Sequence, residues 1–315
     1  MKLKYITKNT LIVIITISSL LLIKGYSMVN LEKNKLYYGV DIDLHNVGVD
    51  IRVNGVPVYF DDEKGQLTVE VPAPDSIIDG KNTLSVKAFL PYDDSEEVES
   101  YVDGAYIKAT LFQQDLSNSD SDKIKISTIF IKLMNEKVQL STENFITPIS
   151  QIASEYSMNE DKSFETSVDA NIDSPFPQWQ WLNGKIIENN KENYTSLLQK
   201  YQEIYDALND KDLSKLKELY SNRSEETAIA YHLIDRAAGH QKLSVGVDMN
   251  NNELELYDFH NENMTLQILA SGRLARISDD IGAQPILYIQ KDGSAVHLYK
   301  FMFYLNDKGE WVMIR

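Results

Sequence analysis

The sequence predicts an α+β protein: an N-terminal signal segment, an antiparallel β-sandwich domain, then a domain of three helices and antiparallel sheet. Three observations predict it. Apolar and polar residues alternate with the period of half-buried strands in run after run from Tyr38 to Ile172. A helical period of 3.6 enters only after residue 190. Alternating runs then resume and continue to the last residues, so helices and strands are segregated rather than interleaved as in a parallel α/β fold.

The first element is an export signal. Lys2, Lys4 and Lys8 precede Leu11 to Ile23, thirteen residues without a charge. That length suits a signal h-region, whereas a spanning helix needs about 20 apolar residues. Gly25 and Ser27 stand where a peptidase reads small residues, for a cut before Met28. Residues 1–27 are therefore a signal peptide or, uncleaved, a short membrane anchor through residues 11–23. Either way the chain works in the periplasm or on the outer face of the inner membrane. It has no cysteine, so neither a disulfide nor a cysteine-linked lipid holds it.

Charge narrows the partners. The formal net charge is −16, and removing Met1 to Ser27 takes away four lysines and no acid, leaving −20. Residues 28–173 carry 27 acids against 12 bases, and the remainder 20 against 15. The charge argues against nucleic acid and anionic lipid as partners, because binding them relies on Lys and Arg neutralising phosphate. Two readings of the acidity remain: solubility, or a field that steers a basic protein partner.

Residues 36–173 read as the sandwich. Tyr38, Val40, Ile42 and Leu44 alternate with Asp41 and Asp43. Val47, Val49, Ile51 and Val53 lead into Asn54-Gly55, and Val56, Val58 and Phe60 lead out, a hairpin with a turn whose central residues need positive φ. Leu67 to Val71 is a strand stopped by Pro72 and Pro74, and Asp79-Gly80 turns into Leu84, Val86 and Ala88. Ala105 to Leu111, a doubly apolar central strand Ile124 to Leu133, and Phe164 to Ile172 bring the total to some eight strands. The segments IRVNGVPVYF (51–60) and IIDGKNTLSVKAFL (77–90) resemble the galactose-binding-like jelly-roll sandwiches appended to many glycoside hydrolases and envelope proteins. The likeness implies the fold, and no sugar-ligand residue transfers with it.

Residues 174–191 read as a linker holding Pro175, Pro177, Trp179 and Trp181. Two tryptophans two residues apart on an extended segment either stack on a sugar or anchor a partner protein, or else pin the two domains together.

Residues 192–315 open with Tyr194, Leu197, Leu198, Tyr201, Ile204, Tyr205 and Leu208 on one helical face. Asp210 is the expected N-cap of a second helix carrying Leu213, Leu216 and Leu219. A third begins near Ser224 with Gly239 just past its end. Strands follow at Leu254 to Phe259, Met264 to Ile277, Pro285 to Gln290, Ala295 to Leu305 and Trp311 to Ile314, the last three joined by hairpins at Asp292-Gly293 and Asp307-Lys308-Gly309. IYDALNDKDLSKLKELYS (204–221) and YLNDKGEWVMIR (304–315) resemble the nuclear-transport-factor-like family, whose helices close a curved sheet into a cone. That family ranges from isomerases and hydratases to binding and dimerisation modules. The resemblance implies a possible homodimer through the open sheet, and no catalytic motif carries over.

Candidate chemistry is sparse. His232 and Asp235, three apart on a helix, fit a base with its orienting carboxylate, or an ordinary hydrogen bond. Asp258, His260 and Glu262 fall on one face of a strand or its end. Asp248, Asn250 and Asn252 imitate the start of a calcium loop, but Glu253 stands in place of its turn glycine. The expectation is no catalytic residue, no metal site and no cofactor. The acidic stretch Tyr92 to Asp103 supplies the partner-binding candidates Asp93, Asp94, Glu96, Glu97 and Glu99, to which Trp179 and Trp181 are added; its other reading is a solvated loop.

The expected function is that of a non-enzymatic binding protein, resembling bacterial periplasmic immunity proteins that neutralise a secreted toxin or effector. A glycan- or wall-binding module and a small-molecule enzyme using the cone pocket are the alternatives. Mass spectrometry of the envelope fraction should find a chain beginning at Met28, and intact protein in the cytosol with Met1 in place would refute export.

Overall fold

The computed structural model describes residues 35–315 except 94–95, 119, 135–136, 147–148, 280–281 and 294–295. The signal segment lies outside the described residues. The described chain is α+β, with four α-helices and antiparallel sheets.

Two antiparallel sheets form a sandwich-like first half. One has the order β11-β10-β9-β8-β1-β4 and the other β12-β5-β2-β3. The strands are β1 (Leu36–His45), β2 (Gly48–Val53), β3 (Val56–Asp61), β4 (Gln66–Pro72), β5 (Gly80–Phe89), β8 (Tyr106–Asp115), β9 (Ile124–Met134), β10 (Lys137–Asn144), β11 (Ile149–Ser157) and β12 (Phe164–Ile172). Two-residue strands β6 (Tyr92–Asp93) and β7 (Glu96–Glu97) make a separate small hairpin. Tyr38, Val40, Ile42 and Leu44 of β1 meet Val47, Val49, Ile51 and Val53 around β2 in one core, as their alternation requires. Asn54 and Gly55 both have positive φ, so the β2–β3 turn has the backbone expected of Asn-Gly.

The exit strand departs from its expected facing. A bulge falls between Ile51 and Arg52: Arg52 pairs with Pro57, but Ile51 pairs with Tyr59. The extra residue shifts the alternation, so Tyr59 packs on the core and Phe60, expected inside, is 38% exposed.

The segment 174–191 is packed, not loose. Phe176, Trp179 and Trp181 join the sandwich core, together with Ala230, Leu269, Ala270, Leu274, Met302, Tyr304 and Ile314 from the C-terminal half. Trp179 is 1% exposed and Trp181 2%, and the Trp179 indole N–H donates to the Ile77 carbonyl at 2.6 Å. The pair thus pins the two halves together, as the second of its two readings expects, and as partner-binding candidates Trp179 and Trp181 are corrected: neither is open to a sugar or a partner.

In the C-terminal half, α1 (Lys191–Asn209) buries Leu197, Tyr201, Ile204 and Leu208. The second helix, α2 (Leu213–Leu219), is capped by Asp212, which accepts from the Lys215 N–H, and not by Asp210. Lys211 takes a positive φ, and that shifts the cap by two residues. The third expected helix is two, α3 (Ser221–Ala230) and α4 (Arg236–Lys242). Gly239 lies inside α4, because a Cβ there would stand 1.9 Å from the Ser224 carbonyl oxygen; the crossing of α3 and α4 needs glycine.

The strands form two small sheets. One is β13-β16-β17, of Leu254–Leu256, Leu287–Gln290 and Val296–Leu298; the other is β14-β15-β18-β19, of Thr265–Leu269, Leu274–Ser278, Phe303–Leu305 and Trp311–Met313. The run 264–277 folds back on itself where Ala270, Ser271 and Gly272 all take positive φ. The run 295–305 changes sheet at Phe301, whose N–H donates to Gln284 Oε1 (2.8 Å) and whose carbonyl accepts from Gln284 Nε2 (3.3 Å). A side-chain amide replaces the ladder at that crossing.

A buried charge cluster locks the halves. Arg315 Nε lies 3.1 Å from Asp75 Oδ2 of the sandwich, and Nη1 lies 3.2 Å from Glu226 Oε2 of α3. Glu226 Oε1 also accepts from the Gln180 N–H. Glu226 is 3% exposed, and burial pushes its carboxyl above the usual range while Arg315 pulls it back. Glu226→Ala removes the more deeply buried of the two carboxylates on Arg315 and leaves Asp75 as its remaining counter-charge, so it should cost about 3 kcal/mol, the low end for a broken buried pair, read as a lower urea midpoint at unchanged m-value.

Candidate functional site

Between the outer face of the β2–β3–β5 sheet and the β14–β15 hairpin lies a cleft of about 530 Å³, and a lobe of about 330 Å³ adjoins it. Alternation builds one wall: with Val49, Ile51 and Val86 inside, Asp50, Arg52, Lys87 and Phe89 fall on the outer face. The bulge adds Phe60 to that face, opposite Asp50. Its ring stacks on Phe89 at 5.8 Å between centroids, and Phe89 in turn covers Gly48, where a Cβ would meet the ring at 2.4 Å. Gln267, Ile268, Leu269 and Arg276 form the opposite wall. Asp50, Phe60, Asp62, Arg276 and Gly282 border both the cleft and the lobe.

The charges in this cleft are unequally satisfied. Arg52 Nε lies 3.0 Å from both Asp50 oxygens, and that bond raises the guanidinium further. Asp161 is held below the usual carboxylate range by the Ser163 hydroxyl and N–H, with Lys87 assisting. Arg276 spends only Nε, which donates to Gln267 Oε1 at 2.9 Å. Among the described residues neither Arg276 nor Asp62 has a side-chain ion pair, although burial pushes the Arg276 guanidinium below its ordinary value. A guanidinium whose Nη groups lack a bonded partner among the described residues, with Asp50 and Asp279 attracting it only from farther off, can recognise an anion.

The acidic hairpin forms the rim. Tyr92 lines the cleft, and its main chain is stitched to the wall, N–H to the Asp62 carbonyl (2.6 Å) and carbonyl from the Lys64 N–H (2.8 Å). Asp93 pairs with Lys64. Glu96 and Glu97 stand opposite Asp93 and Tyr92 in the hairpin, with Glu96 exposed. Asp94 lies outside the described residues. Glu99 is exposed and its carbonyl accepts from Lys162 Nζ. The hairpin thus sets Asp93 and Glu96 next to Tyr92 at the rim of the cleft, whereas Trp179 and Trp181 are buried. Phe60, Phe89, Arg52 and Arg276 were missed by sequence reasoning. An aromatic residue such as Phe89 at an outward register position of a strand was the available signal.

The other candidates have structural duties. His232 is not on a helix but in the break between α3 and α4 with positive φ, its Nε2 bonded to the Leu36 carbonyl at 2.9 Å. Asp235 caps α4 through the Ala238 N–H, so the expected His232–Asp235 pairing on one helix face is not formed. Asp258, His260 and Glu262 follow the end of β13 in irregular chain. Asp248 accepts from the Tyr299 hydroxyl. Among the described residues no group of three or more His, Asp or Glu has metal-holding geometry. The interior between α1 and the small sheets is filled by Tyr201, Tyr220, Tyr288, Met249, Phe301 and Phe303.

His240 bonds Ser224 Oγ at 2.7 Å, and Ser224 is fully buried. Burial, then Lys217 and Arg236, hold this imidazole below its usual value of about 6.5. A lowered folded-state value stabilises above the unfolded value and is lost as pH falls through the folded one. The urea midpoint should therefore drop as pH falls below about 6.5, and His240→Gln should shrink that drop.

Compared with family models, curated proteins and solved structures, the chain matches none.

Proposed function

We propose that the chain is an exported, non-enzymatic binding protein of the bacterial envelope that holds a basic protein partner at the acidic hairpin and its cleft, as immunity proteins hold a secreted toxin or effector. One observation carries the reading. The β6–β7 hairpin is fixed by main-chain bonds to the wall of an aromatic-lined cleft, on a chain whose charge is −16 before any signal is removed. Fixed acids beside exposed rings combine electrostatic steering with a desolvated anchor, the pairing that protein recognition uses. His232 and Asp235, the pair that suited catalysis, are engaged in a main-chain bond and a helix cap, and the space inside the C-terminal half is occupied by rings. The jelly-roll and nuclear-transport-factor-like likenesses belong to the same proposal, supported by the two-sheet first half and the helices that precede the last strands. The glycan-binding alternative loses Trp179 and Trp181 to the core, and within the cleft it retains the Phe60–Phe89 rings.

Envelope and secreted extract passed over the immobilised chain should yield a basic protein held at micromolar Kd or tighter. Asp93→Lys with Glu96→Lys should weaken it at least about tenfold, or ~1.4 kcal/mol, and flatten its salt dependence. No retained protein, or one indifferent to both substitutions and to salt, would overturn the proposal.

A further inference from the structure

β3 stands at the edge of its sheet. Its ends are tied: the Gly55 carbonyl accepts from the Ala270 N–H, and the Asp62 carbonyl from the Tyr92 N–H. Between them, among the described residues, the main chain from Pro57 to Phe60 makes no hydrogen bond beyond its ladder with β2. The adjoining lobe of about 330 Å³ is lined by Pro57, Val58, Tyr59 and Phe60 in unbroken succession, facing the segment Leu298 to Met302. Val58 is the extra residue of the bulge, and across it Tyr59, which packs on the core, and Phe60, which faces out, border the same hollow; a hollow that meets both faces of a strand runs along its edge. A free edge is a template for another extended chain. Proline is at home there, since its missing N–H costs an edge strand nothing.

We propose that this groove takes an extended peptide segment of the partner as an added strand on β3, with a carboxylate of that segment on Arg276. The inference rests on the protein-binding reading and names where such a partner is gripped. Four residues of strand span about 13 Å, which sets a short segment. Arg276, at the junction of lobe and cleft, has its Nε occupied by Gln267 and both Nη atoms unpartnered among the described residues; a carboxylate completes its fork. Phe60 and Phe89 lie beside that junction and take an apolar side chain of the same segment.

The test is selection of random seven-residue peptides on the purified full chain, with free and amidated C-termini as separate arms. Peptides carrying an acidic residue or a free C-terminus next to an apolar residue should be enriched. Loss on amidation assigns the carboxylate to the chain end, and loss on Asp→Asn or Glu→Gln within the peptide assigns it to a side chain. Arg276→Gln should weaken binding at least tenfold and Arg276→Lys less. In the unsubstituted protein, bound peptide should slow hydrogen exchange at the amides of residues 58–60, a readout independent of any variant. No enriched peptide, equal binding to Arg276→Gln, or unprotected amides at 58–60 would overturn the groove assignment. If the intact partner meanwhile still responds to the Asp93 and Glu96 substitutions, only the groove falls and the protein-binding reading stands.

Discussion

Phe176 is the point on which the arrangement of this molecule turns. Its ring meets Trp179 at 5.4 Å, Tyr38 of the sandwich at 5.8 Å and His232, between α3 and α4, at 5.9 Å. A connecting segment that buries three large rings is no tether; truncating one such ring typically costs about 3–5 kcal/mol. The apolar cores of the two halves therefore meet through it, and Arg315 closes the same junction with charge, reaching Asp75 on one side and Glu226 on the other. Such a cluster adds little net stability, since the lost hydration of Arg315 and Glu226 offsets their attraction.

The cleft follows from that junction. With the halves held against each other, the β14–β15 hairpin is set opposite the outer face of the β2–β3–β5 sheet, and the Asn-Gly turn touches it through Gly55 and Ala270. One extra residue in β3 then turns Phe60 out of the core and into this space. Bulges recur beside functional surfaces because they re-aim one side chain without disturbing the ladder beyond. Here the re-aimed ring stacks on Phe89 within reach of Arg276.

Much of the secondary structure was legible. β1, β2, β5 and α1 each present a strong single period, and each forms on the expected residues. β10 escaped notice because its inward positions read Val138, Leu140, Thr142 and Asn144, half of them polar. Gly239 reads as a helix stop because the two uses of helical glycine, ending a helix and admitting a neighbouring backbone, look alike in one dimension. The acidic hairpin was visible as a charge run, but the cleft beside it was not, since its walls come from residues more than two hundred positions apart.

The sequence by itself determined the local periods, the turns that need positive φ, the strong net negative charge and the cysteine-free chemistry, because each is a property of neighbouring residues or of composition. Only the tertiary structure decided that Trp179 and Trp181 are buried, that Phe60 faces out, and that Arg276 lies across the cleft from Phe89. The physical reason is that burial and charge compensation depend on what a residue meets from distant parts of the chain. A one-residue bulge or a packed connector changes those meetings while leaving the composition untouched.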